Sequence, residues 1–238
     1  MQQLIGHKHV LSQVITEVNS IFAEIGFVFA EGPEREQVAF NFDALNVPKD
    51  HPSRDMQDTF YLAGQPDIVM RTHTSPVQVR HMRTHQPPIK MICPGKVFRN
   101  EATDATHEAQ FFQLEGLMID RDISLGHMKG VLEHFFTKFF GGEVEVRFRP
   151  SFFPFVEPGV EVDMRIAPDP QNKLSGRWIE IMGAGMVHPN VLRASGIDPE
   201  VYQGFAFGMG MDRLAVLKYG IDDIRLMYNG DLRFVNQF

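Results

Sequence analysis

Two β-prone, aromatic-rich runs constrain this chain most: Cys93-Pro94-Gly95-Lys96-Val97-Phe98-Arg99-Asn100-Glu101 and Phe111-Phe112-Gln113-Leu114-Glu115-Gly116-Leu117-Met118-Ile119. Residues 102–109 between them are too polar for a core and too many for a tight turn, which predicts strand, functional loop, strand. Arg99 ends the first strand. In an antiparallel pair Gln113 and Glu115 fall on one face of the return strand, because side chains alternate with a period of two. A cation, an amide and a carboxylate then surround one floor. Such a set suits a zwitterionic substrate activated by a nucleotide, with Glu115 and Gln113 for an ammonium and Arg99 for a carboxylate or phosphate. From this stretch alone, a surface hairpin with ordinary ion pairs is the plain alternative.

The other β-prone runs also follow one another rather than alternating with helices. Residues 143–149 alternate strictly, with Val144, Val146 and Phe148 on one face, while residues 160–166 and 178–187 read as a further antiparallel pair joined by polar residues 167–176. Short strands are expected at 59–62 and 68–71. This succession argues for an antiparallel sheet with helices packed on it, an α+β fold. Val10, Val14, Val18, Ile21, Phe22 and Ile25 recur at helical spacing, with Gly26 placed to stop them. Ser124 can cap a second helix that Gly141-Gly142 ends. Gly32-Pro33-Glu34 leads into residues 38–45 as a helix entered through Pro33, or as a helix and a short strand. Ser75 is an N-cap candidate with Pro76 at the first helical position, and the first-turn amides would favour an anionic group near His73 and Ser75. Residues 204–215 form a glycine-punctuated strand turning into a helix, where glycines could admit a ligand close to the backbone. That segment lacks the third glycine of a dinucleotide fingerprint and the Gly-Lys-Ser/Thr of a phosphate loop.

With 238 residues, 43% of them hydrophobic, the chain can bury about 70–75% of its unfolded surface in one large core. Thirty acidic against 23 basic residues give a formal charge of -7, which opposes indiscriminate polyanion binding; a nucleic acid would need a local basic patch or a partner. The single Cys93 precludes an internal disulfide and offers no thiolate zinc site. Residues 1–25 carry polar and charged residues at helical spacing, neither a signal peptide nor a membrane span, so a soluble, cytoplasmic protein is expected.

Gly32-Pro33-Glu34, Phe98-Arg99-Asn100-Glu101 and Gly208-Met209-Gly210-Met211-Asp212-Arg213 resemble motifs 1, 2 and 3 of the class II aminoacyl-tRNA synthetases. Thr72-His73-Thr74-Ser75-Pro76, Arg149-Pro150-Ser151-Phe152-Phe153-Pro154-Phe155 and Gly204-Phe205-Ala206-Phe207-Gly208 narrow the resemblance to the α subunits of bacterial phenylalanyl-tRNA synthetases. The likeness runs in order from about Gly6 to the C-terminus. It implies that Arg99 contacts the ATP α-phosphate and the substrate carboxylate, and Arg213 the triphosphate tail. Glu101 and His107 would help hold ATP. His73, Ser75, Gln113 and Glu115 would position the amino acid's polar end, with Gln78 nearby and Gly208 beside it. Phe153 and Phe155 would meet the substrate ring edge to face, Ala206 would leave depth for a benzyl group, and Glu157 resembles a magnesium-associated position.

The implied reaction joins L-phenylalanine to ATP as phenylalanyl-adenylate, with Mg2+, and then transfers it to the terminal ribose of tRNA(Phe). The carboxylate nucleophile is already ionised, so positioning and electrostatics should supply most of the rate. An apolar pocket rejects one extra hydroxyl only by a factor on the order of a hundred. Correction of tyrosine errors is therefore expected in a partner β subunit, within a heterotetramer. Family members carry an N-terminal helical hairpin; here a single catalytic domain over residues 1–238 is expected, with that hairpin absent. The alternative reading is a non-catalytic synthetase-like module, binding a small ligand as a regulatory subunit. Retention of Arg99 and Arg213 argues against it.

Overall fold

The computed structural model describes residues 6–55, 58–105, 107–168 and 176–238. In chain order the elements are α1 (Val10–Glu24), β1 (Val28–Phe29), β2 (Arg35–Gln37), α2 (Val38–Asn41), β3 (Tyr61–Leu62), β4 (Gln65–Met70), α3 (Ser75–Thr84), β5 (Ile89–Phe98) and β6 (Gln110–Asp120). They continue with α4 (Leu125–Phe140), β7 (Val144–Phe153), β8 (Val156–Ile166), β9 (Ile179–Val187), α5 (Pro189–Ala194), β10 (Gln203–Gly210), α6 (Met211–Tyr219) and α7 (Leu232–Val235). Seven strands form one sheet in the order β1-β5-β6-β10-β9-β8-β7, and β2-β4-β3 form a second. The α+β arrangement expected from the strand succession is present. Among the described residues its one departure from antiparallel pairing is β1, which lies parallel to β5. That pairing is open to it because the intervening chain, with α2, the small sheet and α3, makes the long crossover a parallel pair requires.

The two faces of the large sheet bury different material. On one, α1, α4 and α6 bring Phe22, Phe135, Phe136 and Leu214 onto Val162, Phe205 and Met209. Phe22 stacks on Phe135 with ring centroids 4.9 Å apart and on Phe207 at 5.6 Å. Truncating any one of these rings would cost roughly 3–5 kcal/mol. On the other face, Phe42, Leu45, Val77 and Met82 pack against Met91 and Leu117. The strict alternation of β5 explains the division, since Met91 and Cys93 join the second cluster while Ile92 joins the first.

Several local expectations are corrected. Residues 35–37 are a strand and the helix begins only at Val38, so Pro33 opens no helix. Thr74, not Ser75, occupies the N-cap of α3; Ser75 is its first residue and its hydroxyl is engaged elsewhere. β5 closes at Phe98, one residue before Arg99, whose amide donates to the Ala109 carbonyl at 2.9 Å as the loop opens. Residues 46–55, where Pro48 and Pro52 favour a loop, contain a 3-10 turn at Pro52–Arg54. Most of the 167–176 loop lies outside the described residues.

Candidate active site

Strand register assembles the floor of the site in rows. Gly95, Gln113 and Gly210 are paired across β5, β6 and β10; next come Cys93, Glu115, Gly208 and Gly183; then Met91, Leu117, Ala206 and Gly185. Moving along the strands, the face changes from polar to apolar within two rows. A cavity of about 580 Å3 lies over it, with Arg99, Glu101, Gln113, Glu115, Phe155 and Ala206 among its lining residues. That volume is within the range of small-ligand sites, roughly 300–1,000 Å3.

Glu115 is the centre of the polar end. Only 4% exposed, its carboxylate accepts the Thr74 amide on Oε1 (3.1 Å) and, on Oε2, the Ser75 hydroxyl (2.6 Å) and the Gln78 amide (2.8 Å). The anion favoured by the start of α3 is thus the protein's own carboxylate. Burial pushes the Glu115 carboxyl up to about 7, against the Ser75 and Thr74 hydrogen bonds and the guanidinium groups of Arg99 and Arg71. Gly208, directly opposite in the sheet, leaves the space this arrangement uses, since a Cβ there would stand 3.0 Å from Glu115 Cγ and press on it. Beside it, the Gln113 side-chain oxygen is buried without a hydrogen-bond partner, as is His73 Nδ1. Orphaned polar atoms at a cavity wall are what a polar ligand would satisfy.

Arg99 enters from the motif 2 loop. Its Nε donates to the Thr72 carbonyl at 3.1 Å, its guanidinium lies 5.1 Å from the Phe111 ring centroid, and Nη1 is 3.9 Å from Glu101. Burial lowers its pKa from the ordinary arginine value, with Glu101 and Glu115 opposing; it stays cationic at neutral pH. Burial, and then the Arg99 charge, hold His73 down to about 3, so its imidazole is neutral.

The apolar end is framed by an aromatic turn. Phe153 and Phe155 lie nearly parallel, with centroids 5.8 Å apart and planes at 23°. Asn46, in the left-handed region at φ 58, donates to the Pro154 carbonyl at 2.7 Å, and His188 N–H donates to that of Phe155 at 2.9 Å. Gly183 admits the Phe153 ring, which would come within 2.9 Å of a Cβ there. Gly183 of β9 and Gly208 of β10 therefore make room for side chains of the site itself.

Three expected residues stand outside the lining. Arg213 is exposed in the first turn of α6; a Cβ on Gly210, which pairs with Gln113, would lie 3.9 Å from its Cβ. The preceding Asp212 is buried, accepting the Phe112 amide at 2.8 Å and the Tyr228 hydroxyl, and so ties α6 to β6. His107 pairs with Asp104 at 3.1 Å in the motif 2 loop. Glu157, 73% exposed, pairs with His188 at 3.3 Å. Among the described residues no group of three or more His, Cys, Asp or Glu gathers as a metal site.

Sequence reasoning missed Arg71 and Asn41. The Arg71 guanidinium is buried, donating to the carbonyls of Lys96 (2.7 Å) and Gly32 (3.0 Å), and it passes over Gly95, where a Cβ would meet Nη2 at 2.3 Å. It therefore ties motif 1 to the strand that delivers Arg99. Arg71 adjoins the Thr72-His73-Thr74-Ser75 run, the one signal that could have drawn attention to it.

Residues 1–238 match the tRNA synthetases class II core domain (F) family. The phenylalanine–tRNA ligase alpha subunit of Alkaliphilus metalliredigens is 56% identical over 238 residues, spanning 98% of this chain and 70% of that protein. The alpha subunit of Clostridium perfringens is 56% identical over 241 residues, across all of this chain and 70% of its own length. That of Anoxybacillus flavithermus is 55% identical over 239 residues, with 98% and 69% covered. Likeness of this extent, over a sheet that carries the motif 2 and motif 3 segments at the ends of β5 and β10, on either side of β6, means that the chain belongs to the class II tRNA synthetase core family, among the phenylalanine–tRNA ligase alpha subunits.

Proposed function

We propose that the chain activates L-phenylalanine with ATP and passes the phenylalanyl group to tRNA(Phe), as the α subunit of a phenylalanine–tRNA ligase. One observation carries the reading: a cation, a buried carboxylate with an unpartnered amide oxygen, and an apolar aromatic end all line the same cavity. The substrate ammonium sits against Glu115 and Gln113, its carboxylate faces Arg99, and its ring lies toward Phe153, Phe155 and Ala206. Ser75 and Gln78 act through Glu115, whose carboxylate they hold in place, and neutral His73 offers a hydrogen bond without adding charge. Glu101, His107 and Arg213 serve ATP, the last from the first turn of α6.

A carboxylate oxygen attacks the α-phosphorus, the bond to the bridging oxygen breaks, and pyrophosphate leaves. No proton moves in this step. Arg99 offsets negative charge on the α-phosphate as it rearranges, from a position fixed before substrate arrives. The tRNA 2′-hydroxyl then attacks the acyl carbon, losing its proton as AMP departs. Magnesium, when bound with ATP, supplies further charge neutralisation on the phosphates. Glu157, the residue the resemblance associates with magnesium, is exposed beside His188 and outside the cavity lining. A partner β subunit, in a cytoplasmic heterotetramer, supplies correction of tyrosine errors. No helix among the described residues is long and apolar enough to cross a membrane.

ATP–pyrophosphate exchange measured across the amino acids, with and without a β chain, tests the reading. Exchange stimulated by phenylalanine above all others is expected. Stimulation by a non-aromatic amino acid, or by none in the presence of β, would refute it.

A further inference from the structure

Arg99 is held through a carbonyl that no regular structure holds. Thr72 lies between the end of β4 at Met70 and the start of α3 at Ser75, outside both ladder and helix. The residue before it is held by backbone bonds, Arg71 N–H donating to the Glu34 carbonyl and Phe98 N–H to that of Arg71, both at 2.9 Å, but the N–H and hydroxyl of Thr72 itself are met by one side chain. The Asn41 amide donates to Thr72 Oγ1 at 3.0 Å, while its amide oxygen accepts the Thr72 N–H at 3.3 Å. Both residues are buried, Asn41 completely. With its N–H and hydroxyl committed to Asn41, Thr72 has its carbonyl left, and that carbonyl takes Nε of Arg99 at 3.1 Å.

We infer that Asn41 is a positioning residue for adenylate formation, acting through Thr72 to fix the guanidinium of Arg99. Asn is a poor helix former, yet here it ends the four-residue helix α2 with no exposure. Its two amide atoms match the two Thr72 groups they meet, as a buried amide must be matched to avoid a desolvation cost. Glu101 and the Phe111 ring flank the same guanidinium without a short hydrogen bond between Arg99 and Glu101. The Thr72 carbonyl is therefore the contact that sets the direction of Arg99, and Asn41 sets the direction of that carbonyl. Because Thr72 immediately precedes His73, the same clamp steadies the next wall of the site.

The inference rests on the role proposed for Arg99, and its test separates the two. In the assembled α–β enzyme, Asn41→Ala, Arg99→Lys and the double variant are compared by phenylalanine-dependent pyrophosphate exchange, with rates referred to active sites counted by the adenylate burst. Asn41→Ala is expected to lower kcat and kcat/KM together, on the order of tenfold, as loss of a transition-state contact does. Lysine has no Nε to meet Thr72, so Asn41→Ala should cost nothing further in the Arg99→Lys background. Thr72→Val, which removes the hydroxyl and leaves the backbone, should lower kcat in the same direction and serves if Asn41→Ala does not fold. An unchanged rate per active site in Asn41→Ala, or the same loss with lysine at 99 as with arginine, would overturn the inference. An unimpaired Arg99→Lys enzyme would instead overturn the role given to Arg99, and the inference with it.

Discussion

Glu115 meets two opposing demands. In the role proposed for it, it must be ionised to hold an ammonium, yet burial has raised its carboxyl from 4.5 to about 7. A carboxyl whose folded pKa lies above its unfolded value opposes folding when it ionises. Its contribution is therefore most favourable below about pH 4.5 and is lost as pH rises through 7, a swing of roughly 3 kcal/mol. Phenylalanine binding runs the other way. KM for phenylalanine in exchange should rise about tenfold per unit below pH 7 and level off above it, and Glu115→Gln should remove that slope along with most of the affinity. A KM independent of pH between 5.5 and 8 would argue against Glu115 as the ammonium site. At the other end of the floor, Ala206→Gly should admit para-substituted phenylalanines; unchanged exchange with such analogues would mean that Ala206 does not bound the ring. Gln113 and Glu115 were legible because strand periodicity puts them on one face, whereas Ala206 and Gly208 entered only through the family resemblance. Asn41 and Arg71 were not legible, because their partners lie 31 and 39 positions away in the chain.

Elements position the site through a few buried polar ties. Asp212 is the one that docks α6 on β6: it accepts the Phe112 amide and the Tyr228 hydroxyl, and burial raises its carboxyl pKa against both bonds. Asp212→Ala would strand these donors at a cost of about 1–3 kcal/mol. Since Arg213 follows directly, KM for ATP should rise more than KM for phenylalanine; equal effects on both would separate the α6 contact from the nucleotide. The helices α1 and α4 were readable from apolar spacing, and β6, β7 and β10 from alternation and glycine punctuation. The three residues of β2, which carry no periodicity, were not, and neither was the parallel pairing of β1 with a strand some 60 positions later, a choice made by the crossover between them. The start of α3 was misplaced by one residue because Ser75, though suited to a cap, is drawn by Glu115 instead.

At the scale of the molecule, one sheet separates two kinds of interior. Its helix-covered face is packed with phenylalanine, giving rigidity to β5, β6 and β10, while its other face keeps a cavity open between those strands and the aromatic turn. The family to which the chain belongs was legible because its motifs are short and contiguous. One wall of the cavity was not legible, since Phe42 and Leu45, which line it, come from a segment whose form the sequence left open. A structure with a non-hydrolysable phenylalanyl-adenylate mimic is expected to place the ammonium on Glu115 and Gln113, the phosphoryl oxygens on Arg99, and the phenyl ring against Phe155 and Ala206. A mimic bound with its ring away from Ala206, or with Arg99 turned from the phosphoryl group, would contradict it.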